Sequence, residues 1–228
     1  ALFGMFGYMW STCGFIAATT GATERYDYST NAQVARTANS TPRYSITACT
    51  VSGLGFIFGG QTDATTVSTN VEKFDDVANT HTARTGLSTG RATLASYSFG
   101  GFGFTCGGFT SGGVANVSAV VERFDDVINA HLGRSALPAA VIGLAGSSIN
   151  GYGFTLGGYD GGSNYAKIYR FDDLVNGNIG RLDLATARKN LSASNINNFI
   201  LTHCGYVAAQ SAVTERFDDY GNVRIARG

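Results

Sequence analysis

The stretch from Gly101 to Arg134, GFGFTCGGFTSGGVANVSAVVERFDDVINAHLGR, alternates aromatic or apolar residues with small or polar ones. Alternation with a period of two is typical of β-strands, and no stretch of the chain has the spaced apolar stripe of a long amphipathic helix. The stretch therefore predicts three short strands and a loop. An inner strand is expected just before it, at Thr93–Phe99.

The same pattern occurs five times along the chain. Each copy has an aromatic anchor that follows Arg or Lys and precedes Asp: Tyr26, Phe74, Phe124, Phe171 and Phe217. The spacings between anchors are 48, 50, 47 and 46 residues. The units are approximately 1–36, 37–84, 85–134, 135–181 and 182–228, and no change in composition marks a linker between them. We therefore predict a single domain over residues 1–228.

Two further positions recur in every copy. An asparagine stands five residues after each anchor, at Asn31, Asn79, Asn129, Asn176 and Asn222. An arginine stands ten residues after each anchor, at Arg36, Arg84, Arg134, Arg181 and Arg227. Asparagine tolerates left-handed backbone and bonds to neighbouring backbone groups, so it suits the tip of a tight turn. Each anchor is thus expected to begin a hairpin whose asparagine has a structural role.

Upstream of three anchors lie GLGFIFGG (53–60), GFGFTCGG (101–108) and GYGFTLGG (151–158). Small residues between aromatics predict a strand packed closely on its neighbours, followed by a sharp exit. No helix is expected after these glycines, so a dinucleotide-binding loop is excluded. The length of the units varies mainly between this Gly strand and the anchor strand. Repeat proteins usually place their specificity in such loops.

Four short strands in a unit of 46 to 50 residues predict a propeller blade. A solenoid would need capping units with polar outer faces, whereas the first unit begins with the apolar segment ALFGMFGYMW. The prediction is an all-β propeller of five four-stranded blades around a central axis. Two alternatives remain at this point. The chain is either a ring of five blades opened at one inter-blade loop or a piece of a longer array.

The strand ending in Gly-Gly, followed by an aromatic-Asp pair, resembles the kelch repeat over essentially the whole chain. The chain departs from that pattern where kelch repeats usually have tryptophan, at Gln33, His81, His131, Asn178 and Arg224. The anchor aromatics are therefore expected to supply more of the packing between blades. The resemblance implies a propeller used mainly for binding, although a minority of kelch proteins are enzymes, including a copper-dependent oxidase and a sialic-acid mutarotase. A looser similarity is to kelch-type repeats of bacterial surface, phage tail and virion proteins.

Sixteen basic and sixteen acidic residues cancel, which argues against a nucleic-acid binder. No apolar run is long enough for a transmembrane helix. Most charges recur in every unit, so we interpret them as tethers between strands or units. The same holds for the Asp-Asp pairs, which lack the further acids of a calcium loop. No metal site, cofactor or catalytic set is predicted, and the three histidines are interpreted as structural.

Two expectations concern the first unit and the cysteines. The first unit is expected to have a strand at Gly14–Thr19. Cys13, Cys106 and Cys204 are assigned to the same position, just before the glycine of the Gly strand, which keeps them apart. Buried free thiols are the preferred state, and a Cys13–Cys49 disulfide stays open.

The candidate site lies in the variable connections of the second to fourth units. They offer aromatic faces beside short polar groups, which suits sugars because a ring stacks on a pyranose while amides or carboxylates bind its hydroxyls. The expected function is a non-enzymatic binding or adhesion module on a virion, phage tail or microbial surface, extracellular, with a glycan or surface protein as partner. The alternatives are a structural or decorating subunit of a virion, tail or filament, and a kelch-type carbohydrate-active enzyme. The candidate residues are Gln61, Asp63, Phe109, Asn116, Tyr159, Asp160, Asn164 and Tyr165.

Overall fold

A computed structural model describes residues 1–5, 7–16, 18–111 and 115–227. The protein consists of five four-stranded antiparallel sheets arranged as a five-bladed propeller, which confirms the predicted fold class. Each blade is a meander in chain order whose first strand is the innermost, because the first strands of successive blades contact one another. Blade 1 contains β1 Leu2–Met5, β2 Tyr8–Ile16, β3 Ala18–Asp27 and β4 Ala32–Arg36.

The other four blades repeat this arrangement with strands of five residues each. Their bounds in chain order are β5 Thr47–Val51, β6 Leu54–Phe58, β7 Val71–Asp75 and β8 Thr80–Arg84 in blade 2; β9 Ala95–Phe99, β10 Phe102–Cys106, β11 Val121–Asp125 and β12 Ala130–Arg134 in blade 3; β13 Ala145–Ile149, β14 Tyr152–Leu156, β15 Ile168–Asp172 and β16 Gly177–Arg181 in blade 4; and β17 Ser192–Ile196, β18 Phe199–His203, β19 Thr214–Asp218 and β20 Val223–Arg227 in blade 5.

The hairpins between the third and fourth strands form as predicted. All five turn asparagines have left-handed backbone, with φ between 49° and 53°. In blade 3 the Oδ1 atom of Asn129 also accepts a hydrogen bond from the backbone N–H of Thr85, at the end of blade 2 (3.0 Å). The asparagines of blades 2, 4 and 5 bind the preceding blade in the same way. The turn residue therefore also links neighbouring blades.

The glycines of the Gly strand make room for the preceding blade. A Cβ atom added at Gly55 would lie 2.5 Å from the ring of Phe3 in blade 1. At Gly153 it would overlap the ring of Tyr97 in blade 3. The aromatic and small positions of successive blades thus interlock, which confirms the close packing predicted for this strand.

The anchor aromatics pack between blades, as expected from the missing tryptophans. Each anchor of blades 2 to 5 is at most 1% exposed. Such ring pairs contribute about 0.5–1.5 kcal/mol beyond the burial of their area. The pairs and their centroid distances are Trp10–Phe74 at 5.0 Å, Phe56–Phe124 at 5.4 Å, Phe104–Phe171 at 5.7 Å and Phe154–Phe217 at 5.9 Å.

The recurring charges are tethers, which confirms their interpretation. Asp173, two residues after the blade 4 anchor, accepts Arg123 (2.7 Å) and Arg134 (2.6 Å) of blade 3. The first aspartate of each pair has another role: Asp125 Oδ1 accepts the N–H of Val127 and so caps the hairpin turn of its own blade (2.9 Å). Each pair therefore holds one turn and one blade junction.

A second set of arginines, seventeen residues after an anchor, lies fully buried inside blades 2, 3 and 5. Arg91 donates to the carbonyl oxygen of Gly107 (2.8 Å) and to Glu122 Oε2 (2.6 Å). Burial alone would raise the pKa of Glu122, but hydrogen bonds from Ser88 and Arg91 and the charge of Arg91 outweigh it, so its pKa is lowered. Glu122 is therefore an anion inside the blade.

Two expectations for the first unit and the cysteines were wrong. The Gly strand of blade 1 begins at Tyr8, and the next strand begins at Ala18, because the apolar N-terminal segment supplies the inner strand and the first three residues of the Gly strand. Cys13 and Cys204 occupy the place of the first glycine of the pair, with φ of 55°, whereas Cys106 lies one residue earlier. All four thiols are free, but only Cys49 and Cys106 are buried, since Cys13 is half-buried and Cys204 is exposed.

Candidate functional site

The variable connections lie on one face of the propeller, here called the loop face. The connection between the second and third strands leaves from the same ends of the strands as the connection that enters each blade. Isolated bridges pair the two kinds of connection. The paired residues are Gln61 with Tyr44, Phe109 with Ala92, Tyr159 with Ile142, and Tyr206 with Lys189.

An apolar cluster joins the loops of blades 2, 3 and 4. Phe109 packs with Ala92 and Ile142, and Val67 and Tyr159 pack against them. Phe109 is 8% exposed, so its ring supports the loops and is not an open platform for a sugar. Gln61 is also 8% exposed, and its Nε2 atom lies 3.4 Å from the carbonyl oxygen of Asp63. These two candidate residues are therefore buried beneath the loop face and support its loops.

The candidate aspartates cap the turns of their loops. Asp63 Oδ1 accepts the N–H groups of Thr65 and Thr66, each at 2.8 Å, and these bonds lower the pKa of Asp63 to about 2. Asp160 Oδ1 accepts the N–H of Ser163 (2.7 Å), which lowers the pKa of Asp160. Both carboxylates are exposed and remain charged at any physiological pH.

Three side chains of blades 4 and 5 form a patch on the loop face. The Nζ atom of Lys189 lies 4.0 Å from the ring centroid of Tyr159 and 5.6 Å from that of Tyr206. Within the described ranges Lys189 makes no salt bridge, and its ammonium group contacts the faces of the two rings. The Tyr159 hydroxyl donates to the carbonyl oxygen of Gly161 (2.9 Å), which orients its ring. We call Tyr159, Lys189 and Tyr206 the Tyr-Lys-Tyr patch.

Asn164 joins the two loops that carry this patch. Its Nδ2 atom donates to the carbonyl oxygens of Tyr206 (3.2 Å) and Val207 (2.9 Å). The structure therefore brings Tyr159, Asp160 and Asn164 together on one side of the loop face. Tyr206 is 41% exposed and offers the most open ring there.

The side chains of the two remaining candidates make contacts outside the patch. Tyr165 packs against the core of blade 3, and its hydroxyl lies 3.4 Å from that of Tyr169. Asn116 is exposed and donates to the carbonyl oxygen of Ser111 (2.9 Å). The predicted loop Phe109–Asn116 includes residues 112–114, which lie outside the described residues.

Sequence reasoning missed Lys189 and Tyr206. Tyr206 occupies the position of Gln61, Phe109 and Tyr159 in the fifth unit, but it follows a Gly strand that has only one glycine, Gly205. Counting from the anchor of the preceding unit would have revealed it, because each of the four residues lies 35 positions after that anchor. Lys189 follows the buried Arg188, and only the bridge to Tyr206 shows that it reaches the loop face.

The axial cavity has a different chemistry from the loop face. Its volume is about 1080 Å³, and inner-strand residues of all five blades line it. Small uncharged residues such as Ala48, Ala95, Ala145 and Ala193 dominate, and its described lining contains no Asp, Glu, Lys, Arg or His side chain.

Two histidines pack on the anchor aromatics of their own blades. His81 packs on Phe74 with ring centroids 4.7 Å apart, and its Nδ1 atom lies 3.5 Å from Glu72. His131 packs on Phe124 at 4.8 Å. Burial lowers the pKa of both imidazoles. No group of three or more His, Cys, Asp or Glu residues that could hold a metal ion occurs in the described part of the chain.

Comparison with known proteins gives a fold but no family. No family model and no curated protein matches the chain. Among solved structures the chain is similar to one described as "Structure of YjhT", with a TM-score of 0.81 and 14% sequence identity. The match covers 98% of this chain and 82% of that chain. At this identity the likeness supports the propeller fold alone. No helix in the described residues is long and apolar enough to cross a membrane.

Proposed function

We propose that this propeller is a non-enzymatic binding or adhesion module that recognises a glycan through its loop face. The observation that carries the proposal is the Tyr-Lys-Tyr patch, with Asp160 and Asn164 beside it. Aromatic rings stack on the apolar face of a pyranose, and a carboxylate and an amide bind its hydroxyls. The axial cavity supports a binding role because its described lining has no charged side chain.

We further infer that the units are kelch-type repeats, in which the anchors replace the usual tryptophans. This rests on the Gly-Gly exits and the aromatic-Asp pairs, and on the packing of the anchors between blades. A virion, phage tail or microbial cell surface is the setting that fits best, because the Gly-, Thr- and Asn-rich repeats resemble those of such proteins. A surface protein is the second possible ligand class.

The test is a glycan array probed with the wild-type chain and with Tyr159→Ala and Tyr206→Ala. If each ring contributes about 0.5–1.5 kcal/mol, each variant binds its glycan about two- to tenfold more weakly. Tyr220→Ala is the matched control, since Tyr220 is exposed but lies at the opposite end of β19 from the loop face. No bound glycan, or unchanged affinity in both loop variants, would contradict the proposal.

A second candidate is a structural or decorating subunit of a virion, tail or filament. The observation in its favour is a set of apolar side chains at the hairpin tips, at the same repeat position in four blades. Exposed apolar sets of this kind mark contact surfaces between proteins. Sedimentation velocity tests it: ordered assemblies that Val127→Asp and Leu174→Asp dissolve would favour the subunit, and a monomer favours the binding module. The residues are Val77, Val127, Leu174 and Tyr220.

A further inference from the structure

Four junctions between consecutive blades are built alike. An acid two residues after the anchor of one blade accepts two cations of the preceding blade. The junctions are Asp76 with Arg25 and Arg36, Asp126 with Lys73 and Arg84, Asp173 with Arg123 and Arg134, and Asp219 with Arg170 and Arg181. The four acids have at most 22% of their side chains exposed, so each tether is partly buried.

The junction from blade 5 to blade 1 lacks this tether. The equivalent cations are Arg216 and Arg227, and neither makes a salt bridge with any described residue. Where blades 2 to 5 have the accepting acid, blade 1 has Tyr28. Arg227 is exposed, whereas the other arginines at its repeat position are half-buried. This junction therefore has the two cations but no acid at the accepting position to bind them.

The side of blade 1 that faces this junction is also uncovered. Leu2 is 66% exposed and Met9 is 55% exposed. Glu24 is exposed, although the glutamates at its position in blades 2, 3 and 5 are at most 2% exposed. The anchor Tyr26 is half-buried, whereas the other anchors are fully buried. The axial cavity extends along this side, since Met9, Tyr26 and Tyr28 join its lining.

The inner strands show the same break. In the described residues β1, β5, β9, β13 and β17 pack in succession, but β17 and β1 lack the close packing of the other neighbouring pairs. Side chains of the inner strands bind the preceding blade: Thr50 to the carbonyl oxygen of Gly4, Ser148 to that of Ser98, and Asn195 to that of Ser148. Gly4 holds this position in blade 1 and has no side chain with which to continue the series.

We propose that the junction between blades 5 and 1 is the binding site of one further four-stranded unit of this repeat type. Its acid, two residues after its anchor, accepts Arg216 and Arg227, and its far side covers Leu2 and Met9. A second copy of residues 1–228 fits poorly, because its blade 1 presents Tyr28 and the acids of its other blades are already engaged. The match covers 98% of this chain and 82% of the YjhT chain, and the unmatched share of that chain amounts to about the length of one repeat.

The first test compares the chain of residues 1–228 with the same chain extended at its C-terminus by a copy of residues 182–227. A matched extension carries Asp219→Asn in the added copy only. We expect the first extension to slow amide exchange at Met9 and Tyr26 on the order of tenfold or more, and the Asn version to slow it less. Unchanged exchange with both extensions would overturn the proposal.

The second test does not depend on whether the added unit folds. In the unextended chain, Arg216→Ala and Arg227→Ala should leave the unfolding midpoint unchanged, whereas Arg123→Ala and Arg134→Ala should lower it. Equal losses at the two junctions would show that blade 5 is already tethered to blade 1. Sedimentation gives a further outcome. A dimer in which amide exchange at Leu2 is slowed would show that a second copy binds at this junction, and it would refute the proposed occupant.

Discussion

The buried pair formed by Arg91 and Glu122 in blade 3 has an uncharged counterpart in blade 4. Val141 and Tyr169 hold the same two repeat positions there. Arg91→Val alone leaves Glu122 buried at 2% exposure without its counter-charge, and it leaves the carbonyl oxygen of Gly107 without its donor. Breaking a buried pair in this way costs about 3–5 kcal/mol, so we expect a loss of that size in the free energy of unfolding.

The double variant Arg91→Val/Glu122→Tyr recreates the blade 4 pair. Since it removes both charges, only the unpaired carbonyl groups should cost stability, at about 1–3 kcal/mol each if they stay buried. A favourable coupling of about 1–3 kcal/mol between the two substitutions is expected. A double variant as unstable as the sum of the two single variants would refute the reasoning, because the charges would then act independently.

Urea unfolding followed by the fluorescence of Trp10 measures these differences. Trp10 is the only tryptophan, and it is fully buried against Phe74. A shift of the midpoint at constant slope reports stability alone. Lys167→Ala is the control, because its ion pair with Asp183 is largely exposed and such pairs contribute little. This control should leave the midpoint nearly unchanged.

Four other predictions concern single positions. Gly153→Ala should cost about 1–3 kcal/mol in thermal unfolding because its methyl group overlaps Tyr97, and Tyr97→Ala should recover part of that loss. Cys204→Gly should stabilise the protein by about 1 kcal/mol, because it relieves a left-handed backbone in a residue with a Cβ. Asn129→Ala should lower the unfolding temperature more than Asn129→Gly, since glycine keeps the left-handed turn and loses only the bond to blade 2. The stabilisation from Glu122 is present above the ordinary glutamate pKa and is lost as the pH falls through its lowered folded-state pKa. Urea unfolding at a series of pH values should show this loss in the wild-type chain and not in Glu122→Gln.

The frame of this protein follows from comparing its units with each other. The hairpin turns, the tethers and the packing of the anchors were predictable because the same local physics recurs at each position, as with the left-handed asparagines. The first blade was harder, because its Gly strand has no Gly-Gly exit and pairs irregularly between Thr12 and Gly14. There, three-dimensional pairing decided the strand bounds and local pattern did not.

The loop face was less predictable, because its contacts join residues that are not equivalent. Phe109 looked like a sugar platform, but neighbouring loops bury it between Ala92 and Ile142. Asp63 was predicted to bind a ligand, but its Oδ1 atom caps a turn of its own loop. Lys189 belongs to the patch only because the connection entering blade 5 runs beside Tyr206. Such proximity depends on how neighbouring loops lie together, which a single repeat does not encode.

The paired aspartates give the array a direction. The first aspartate of each pair acts within its own blade, and the second accepts cations only from the preceding blade, as Asp173 does from Arg123 and Arg134. A blade with tyrosine at the second position can donate to its successor but cannot receive, which is the situation of Tyr28 in blade 1. Blade 5 is the opposite case, because Asp219 receives while Arg216 and Arg227 have no salt-bridge partner among the described residues. The charges therefore give each blade a donating side and a receiving side, and among the described residues the junction between blades 5 and 1 has no acid at the receiving position.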